Sequence, residues 1–326
     1  MKATAIAPAN IAFIKYWGKA NANLRLPLNS SLSMNLSEAF TTTTVEFSQT
    51  LKQDQVQSLD SEFSQAETRR IKEHLDRVRK KAKLTAAARV ATKNNFPKGS
   101  GIASSASGFA ALTVAASNAA GLNLAEKELT ILARLGSGSA CRSIPDGFVE
   151  WKTGESSQDS YAYSVASSNH WDLRDIIAIV SSESKMVSST QGHERAQTSP
   201  FWKDRVMGIG QKLILVKAAL KEKNMAHLGI ILEEDALNMH AIMMTQNPPL
   251  FYWKGITTEI MHAVRFWRRN GLSVYFTIDA GPNVHLICEG SVEEAVLKKV
   301  KTFSGVLQIV SNKPAQGTKL VNKHLF

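Results

Sequence analysis

The stretch Asn95–Leu112, NFPKGSGIASSASGFAAL, constrains this chain more than any other. A glycine- and serine-rich loop runs straight into a helix of small and apolar residues over Ser104–Ala120. A helix that is apolar all round belongs inside a fold. Gly99 and Gly101 let the backbone curl so that several N–H groups point inward. Ser104, Ser105 and Ser107 add hydroxyls where the helix N-terminus adds its positive dipole end. Together they describe a phosphate cradle; the alternative is an N-capped helix after a turn. The Lys-Ser/Thr ending of a Walker A loop is missing, and Ser104 stands where a dinucleotide fingerprint has its third glycine.

With 326 residues and 44% hydrophobic content the chain can bury a sizeable core, and its length suggests two domains. The net charge of +11 suits a polyanionic partner. Much of it is concentrated in Arg69–Lys83, but Ile71, Leu75 and Val78 share one face there and no aromatic residue interleaves the charges. That pattern is a solvated amphipathic helix rather than a nucleic-acid surface. Two cysteines, Cys141 and Cys288, build neither a disulfide framework nor a zinc site and fit a reducing cytoplasm. No apolar run is long enough to span a membrane, and no secretory signal is visible.

Hydrophobic periodicity predicts strands over 2–8, 40–48, 87–94, 147–152 and 171–181, with helices over 68–83, 104–120 and 125–135. Three long helical segments follow, 200–223, 226–244 and 249–270, then strands 273–278 and 284–288, a helix 292–303 and a last strand 305–311. The punctuation is that of an α+β chain. The texture changes near 180–190, giving domains of 1–183 and 184–326.

Three further segments are unusually polar for places beside strands. Asn10–Lys19 carries Lys15 and Lys19 with Tyr16 between them; the lysines suit phosphate or carboxylate, or are solvated on a helical turn. In Gly136–Ser143 small residues allow close approach to the backbone, Ser137 and Ser139 offer hydroxyls, and Arg142 suits bidentate binding of a carboxylate or phosphate. A flexible surface loop is the alternative. Cys141 has no neighbouring histidine and reads as a small buried residue, not a nucleophile. In Asp279–Asn283 a carboxylate precedes a Gly-Pro turn; alone this is turn chemistry, and its claim to catalysis comes from the other loops.

Taken together these segments resemble the GHMP kinase superfamily, and within it the ATP-dependent mevalonate-diphosphate decarboxylases. The resemblance covers nearly the whole chain: Asn10–Lys19, Leu28–Asn35, Asn95–Leu112, Gly136–Ser143 with Gly147–Trp151, Ser188–Gly192 with Thr198–Pro200, and Asp279–Asn283 match in order. It implies an N-terminal domain like domain 2 of ribosomal protein S5, a ferredoxin-like C-terminal sandwich, a cleft site between them, and a homodimer. It also implies Mg2+ and ATP as cofactors and a phosphorylated mevalonate as substrate, whose 3-hydroxyl is phosphorylated before phosphate and carbon dioxide leave. By the same resemblance Asp279 is the base or orienting carboxylate for that hydroxyl, Lys15 stabilises the transferring charge, and Arg142, with Asn10 nearby, holds the substrate carboxylate. Tyr16, Lys19, Ser137, Ser139 and Ser189 contact the 5-phosphate end, and Gly101, Ser104, Ser105 and Ser107 cradle the ATP phosphates. Metal ligands are not implied.

Two departures matter. Pro145-Asp146-Gly147 replaces an aromatic residue and glycine, and His193 stands where methionine is usual. Both look like the branch that decarboxylates mevalonate 5-phosphate, so mono- and diphosphate substrates stay open. The nearest rival of another class is a mevalonate-type kinase without decarboxylation; Arg142 beside Asp279 and Lys15 argues against it.

Overall fold

Two sheets joined by a shared apolar layer organise the protein. The structure, a computed structural model, describes residues 1–96, 104–181, 183 and 189–326. The first part runs β1 (Lys2–Ile14), β2 (Lys19–Asn21), β3 (Leu26–Pro27), β4 (Ser31–Ser48), β5 (Gln55–Ser58), α1 (Gln65–Ala82), β6 (Ala87–Asn94), α2 (Ser104–Ala119), α3 (Glu126–Gly136), a 3-10 turn over Gly138–Ser143, β7 (Phe148–Trp151) and β8 (Ala162–Ala166). The second part runs β9 (Leu173–Ile179), α4 (Ser189–Arg195), α5 (Trp202–Glu222), α6 (Met225–Thr245), α7 (Gly255–Arg269), β10 (Val274–Thr277), β11 (Val284–Glu289), α8 (Glu293–Val300), β12 (Gln308–Asn312) and β13 (Lys319–Val321). The architecture is α+β.

The first sheet has the order β13-β1-β4-β6-β5, with β7 and β8 continuing from the first half of β4. Only the β5–β6 pair is parallel. The expected first strand runs on past Pro8 to Ile14, because the register shifts between Pro8 and Asn10 and absorbs the missing N–H. The second sheet is antiparallel, β10-β11-β9-β12. Leu173–Ile179, N-terminal to the expected 183/184 divide, is a central strand of this second sheet. Lys319–Val321, far beyond the divide, pairs with β1.

Packing follows from composition. The small side chains of α2 lie on Ala3, Ala5 and Ala7 of β1, and the helix is buried on nearly every side. The amphipathic α1 adds Ile71, Leu75 and Val78 to the same core and turns its charges outward. Ser64 and Glu67 start α1 as a capping box, and Lys83 ends it in the left-handed region. The second sheet has two apolar faces. Ile176, Phe276 and Leu286 meet α7 and α8, while Leu173, Ile177 and Ile287 share a core with α5, α6 and the inner ends of β1 and β4. That shared core fixes the loops of the two sheets against one another.

Candidate active site

Lys15 follows the last residue of β1, and Asp279 stands just beyond β10. The shared core brings them together: Lys15 Nζ lies 2.6 Å from Asp279 Oδ1. Lys15 is fully buried, whereas the Asp279 side chain keeps about a quarter of its surface open. Burial alone would push the Asp279 carboxyl up, but the Lys15 ammonium, with His285 and Arg142, outweighs it and holds the group below the usual carboxylate range. Burial draws Lys15 down from its ordinary value, and Asp279 opposes that. The turn carrying Asp279 is pinned: Asn283 Oδ1 accepts from Val180 and Ser181 N–H groups, and Thr257 donates to the Pro282 carbonyl.

Arg142 sits in the 3-10 turn beside this pair. It is buried, donating to Asn10 Oδ1 at 3.2 Å and to Ser31 Oγ at 2.6 Å. Among the described residues no carboxylate pairs with it. A buried guanidinium on neutral oxygens is an electrostatic vacancy for an anion. Asn10 is oriented in turn by donating to Ser143 Oγ at 2.8 Å and the Ser139 carbonyl at 3.3 Å. The segment expected as a glycine-serine loop is more ordered than that: Gly136 closes α3, and 138–143 is a largely buried 3-10 turn held by these bonds, which disfavours the flexible-loop alternative.

A second cluster lies on the other side of the turn. The Tyr16 ring packs edge-on to Trp151 at 4.6 Å and stacks on His193 at 4.2 Å; His193 also meets Trp17 at 4.4 Å. Gly138 is required here, because a Cβ would stand 2.8 Å from Tyr16 Cε1. The Gly18 N–H donates to His193 Nδ1 at 2.8 Å, so the ring proton is on Nε2. Burial, then Lys19, Arg25 and Arg142, push this imidazole well below its ordinary range and keep it neutral. Lys19 lies 3.5 Å from Glu194 Oε1. Pro145 is engaged elsewhere, its carbonyl accepting from Asn35.

The start of α2 faces this region. Ser105 is exposed, and its hydroxyl lies 3.2 Å from that of Ser137, linking the two serine-rich segments. Ser104, Ser105, Arg70, Thr41, Phe63 and Asn94 line a cleft between α1, α2 and the sheet. Ser107 is fully buried, with its hydroxyl 2.7 Å from Oγ1 of Thr41, which lines the same cleft. Gly101 and Ser188 lie outside the described residues. Ser189 opens α4. Cys141 is buried, donates to the Gly138 carbonyl, and has its thiol pushed up to about 12 by burial, which removes it as a nucleophile.

Sequence reasoning missed Arg205, Asp235 and Asn29, which surround the Lys15 peptide. An acidic residue on the buried face of α6 was the available signal for Asp235.

The start of α2, the Lys15–Asp279 pair and buried Arg142 lie together between two α+β units, the architecture of the GHMP kinase fold. Comparison with known proteins narrows this. Residues 7–162 match the diphosphomevalonate decarboxylase-like N-terminal domain, and 175–323 match the mevalonate 5-diphosphate decarboxylase C-terminal domain. The chain is 37% identical to human diphosphomevalonate decarboxylase over 303 residues, 86% of this chain and 75% of the human one. It superposes on mevalonate diphosphate decarboxylase from Staphylococcus aureus with a TM-score of 0.94 at 37% identity, covering 98% of each chain. It matches MDDEF, solved in complex with MVAPP, AMPPCP and magnesium, with a TM-score of 0.93 at 39% identity over 99% of each chain. The chain belongs to the diphosphomevalonate decarboxylase family.

Proposed function

We propose that this enzyme converts mevalonate 5-diphosphate to isopentenyl diphosphate, consuming ATP. The observation that carries the reading is the 2.6 Å Lys15–Asp279 pair beside Arg142, a buried cation whose described partners are neutral oxygens. In this reading Arg142 and Asn10 take the substrate carboxylate, which sets the tertiary 3-hydroxyl toward Asp279. The hydroxyl oxygen attacks the terminal phosphorus of ATP, its proton passes to Asp279, and ADP leaves. A crowded tertiary alcohol is a poor nucleophile, so positioning and charge neutralisation carry the step. Lys15 keeps Asp279 ionised beforehand and offsets the charge on the transferring oxygens. The C3–O bond then breaks with loss of phosphate. The C1–C2 bonding electrons become the new C2–C3 double bond, and carbon dioxide departs from Arg142.

Tyr16, Lys19, Ser137, Ser139 and Ser189 are read as the 5-diphosphate subsite. Lys19 and Arg25 both bear on His193 there, and two cations suit a diphosphate. Ser104, Ser105 and the loop holding Gly101 are read as the ATP phosphate cradle, with the nucleoside in the Arg70–Asn94 cleft. Ser107 is read with them as part of the cradle. Among the described residues no three acidic, histidine or cysteine side chains form a self-contained metal cage. Magnesium arriving with ATP would need only a hydroxyl from the protein, which Ser104 or Ser105 could offer. When bound it neutralises phosphate charge.

Free, buried cysteines support a reducing, cytoplasmic setting. Exposed Met207 and Ile214 on α5, with Ile230 and Leu237 on α6, support a second copy docking on that face.

Parallel assays of carbon dioxide release with Mg-ATP and either mevalonate 5-diphosphate or mevalonate 5-phosphate test the reading. A higher kcat/KM for the diphosphate is expected. Preference for the monophosphate would move the chain to the other branch, and a phosphorylated product without carbon dioxide would make it a kinase.

A further inference from the structure

Helix α6 reaches both members of the central pair, and in each case through main-chain atoms. Asp235 is wholly buried, and its Oδ2 accepts the Lys15 N–H at 2.7 Å. Arg205 of α5 closes on the same peptide. It donates to Asp235 Oδ1 at 3.0 Å and Oδ2 at 3.1 Å, and to the Lys15 carbonyl at 3.2 Å. Asn29 donates to that carbonyl at 3.0 Å. Five residues further along α6, His240 Nε2 lies 3.2 Å from the Asp279 carbonyl, which the Gly281 N–H also contacts at 2.7 Å. A carbonyl only accepts, so Nε2 carries the proton. Burial pushes the His240 ring down to about 3, which preserves the neutral Nε2–H donor at working pH. Trp253 at 4.8 Å fixes the ring plane.

Lys15 and Asp279 come from different sheets, and an ion pair between flexible groups would close up or part as substrate enters. Reaction geometry has to hold to about half an ångström. A helix rises about 1.5 Å per residue, so Asp235 and His240 are spaced by a rigid scaffold. We infer that α6 is the positioning element of the reaction centre: Asp235 sets Lys15 and His240 sets Asp279, each through the other's main chain. The inference rests on the reading of Lys15 and Asp279 as the reacting pair.

The test compares steady-state kinetics of Asp235→Asn, His240→Leu, His240→Gln and Asp279→Asn, each checked for folding by circular dichroism. Asp235→Asn and His240→Leu each lower kcat about 10- to 100-fold while both KM values stay within about threefold. His240→Gln, which keeps an N–H donor, recovers kcat to within about threefold of wild type. Lys15 is faced by Asp279, Asp235 and Arg142, with Arg205 and His240 against its peptide and its partner. Lowered kcat with both KM values kept, and its recovery in His240→Gln, are effects that a loss of fold would not give. Unchanged kcat in Asp235→Asn and His240→Leu overturns the inference, as does equal impairment of the Leu and Gln variants. Should His240→Leu not fold, the split between kcat and KM in Asp235→Asn decides alone. Turnover retained by Asp279→Asn would instead remove the reading beneath it.

Discussion

Lys15 Nζ and Asp279 Oδ1 are separated by 264 positions in the chain and by 2.6 Å in space. The pair is what makes Asp279 a usable proton acceptor. An isolated buried carboxyl would be protonated, and the adjacent ammonium keeps it ionised. Asp279→Asn is isosteric and cannot accept the proton. Turnover should fall by about three orders of magnitude, with ATP affinity, read by calorimetry, largely kept. Activity within tenfold of wild type would remove Asp279 from the chemistry.

The same pair sets a pH signature. Because Lys15 depresses Asp279, the acid limb of the wild-type rate profile lies below the ordinary carboxylate range. In Lys15→Met burial is opposed only by His285 and Arg142, so the Asp279 pKa rises and the limb moves toward neutral pH. The residual activity of the variant, profiled from pH 4 to 9, should show that upward displacement; a limb that stays put or moves down contradicts the coupling.

Arg142→Lys keeps the charge and loses the fork. A lysine cannot at once hold Asn10, Ser31 and a substrate carboxylate. We expect kcat/KM for the phosphorylated substrate to drop about 100-fold with the KM for ATP little changed. Equal effects on both substrates would mean that Arg142 supports the fold instead.

Gly138→Ala probes the aromatic cluster. The new Cβ would stand 2.8 Å from Tyr16 Cε1 and 3.1 Å from the Trp151 ring, displacing Tyr16 from His193. The KM for the phosphorylated substrate should rise about tenfold. An unaltered KM would separate Tyr16 from the 5-diphosphate subsite.

Stability should depend on His74, which is buried between α1 and α2 with Nε2 2.8 Å from Thr113 Oγ1. Burial, then nearby arginines, push it down to about 3. The unfolded chain therefore binds a proton that the folded chain refuses, from its ordinary value near 6.5 down to about 3. Stability is complete above that window and falls as pH drops through it, by about 2 kcal/mol between pH 7 and pH 5. His74→Gln keeps the bond to Thr113 and does not titrate. Denaturant melts at the two pH values should show the wild type losing about 2 kcal/mol more than the variant.

Local chemistry made much of this legible. Ala87–Asn94 has the expected bounds, the first two long helices lie within two residues of theirs, and the third starts at Gly255 rather than 249. The motifs carrying Lys15, Arg142 and Asp279 were visible because lysine, arginine and aspartate beside glycine turns are conspicuous. Short polar strands such as Gln55–Ser58 and Lys319–Val321 were not, since only a partner strand makes them strands. The Arg205–Asp235 clamp was equally hidden: each residue looks like an ordinary charge on a helix until α5 and α6 pack. Ser107 joins the two kinds of signal: its loop pattern suggested a ligand contact, and its buried hydroxyl bonds Thr41, which lines the cleft at the start of α2.

The return of β13 to β1 has a further consequence. Lys2 Nζ donates to the Phe326 carbonyl, and Thr4 meets His324, partners 324 and 320 positions apart. The first sheet thus cannot acquire its outer strand until residues 319–321 have emerged from the ribosome. During synthesis its early half is an open edge awaiting closure, a template for mispairing that this chain must outlast. Once made, the seam ties residues 2–6 to 319–326, so cutting that late segment away would reopen the edge along β1.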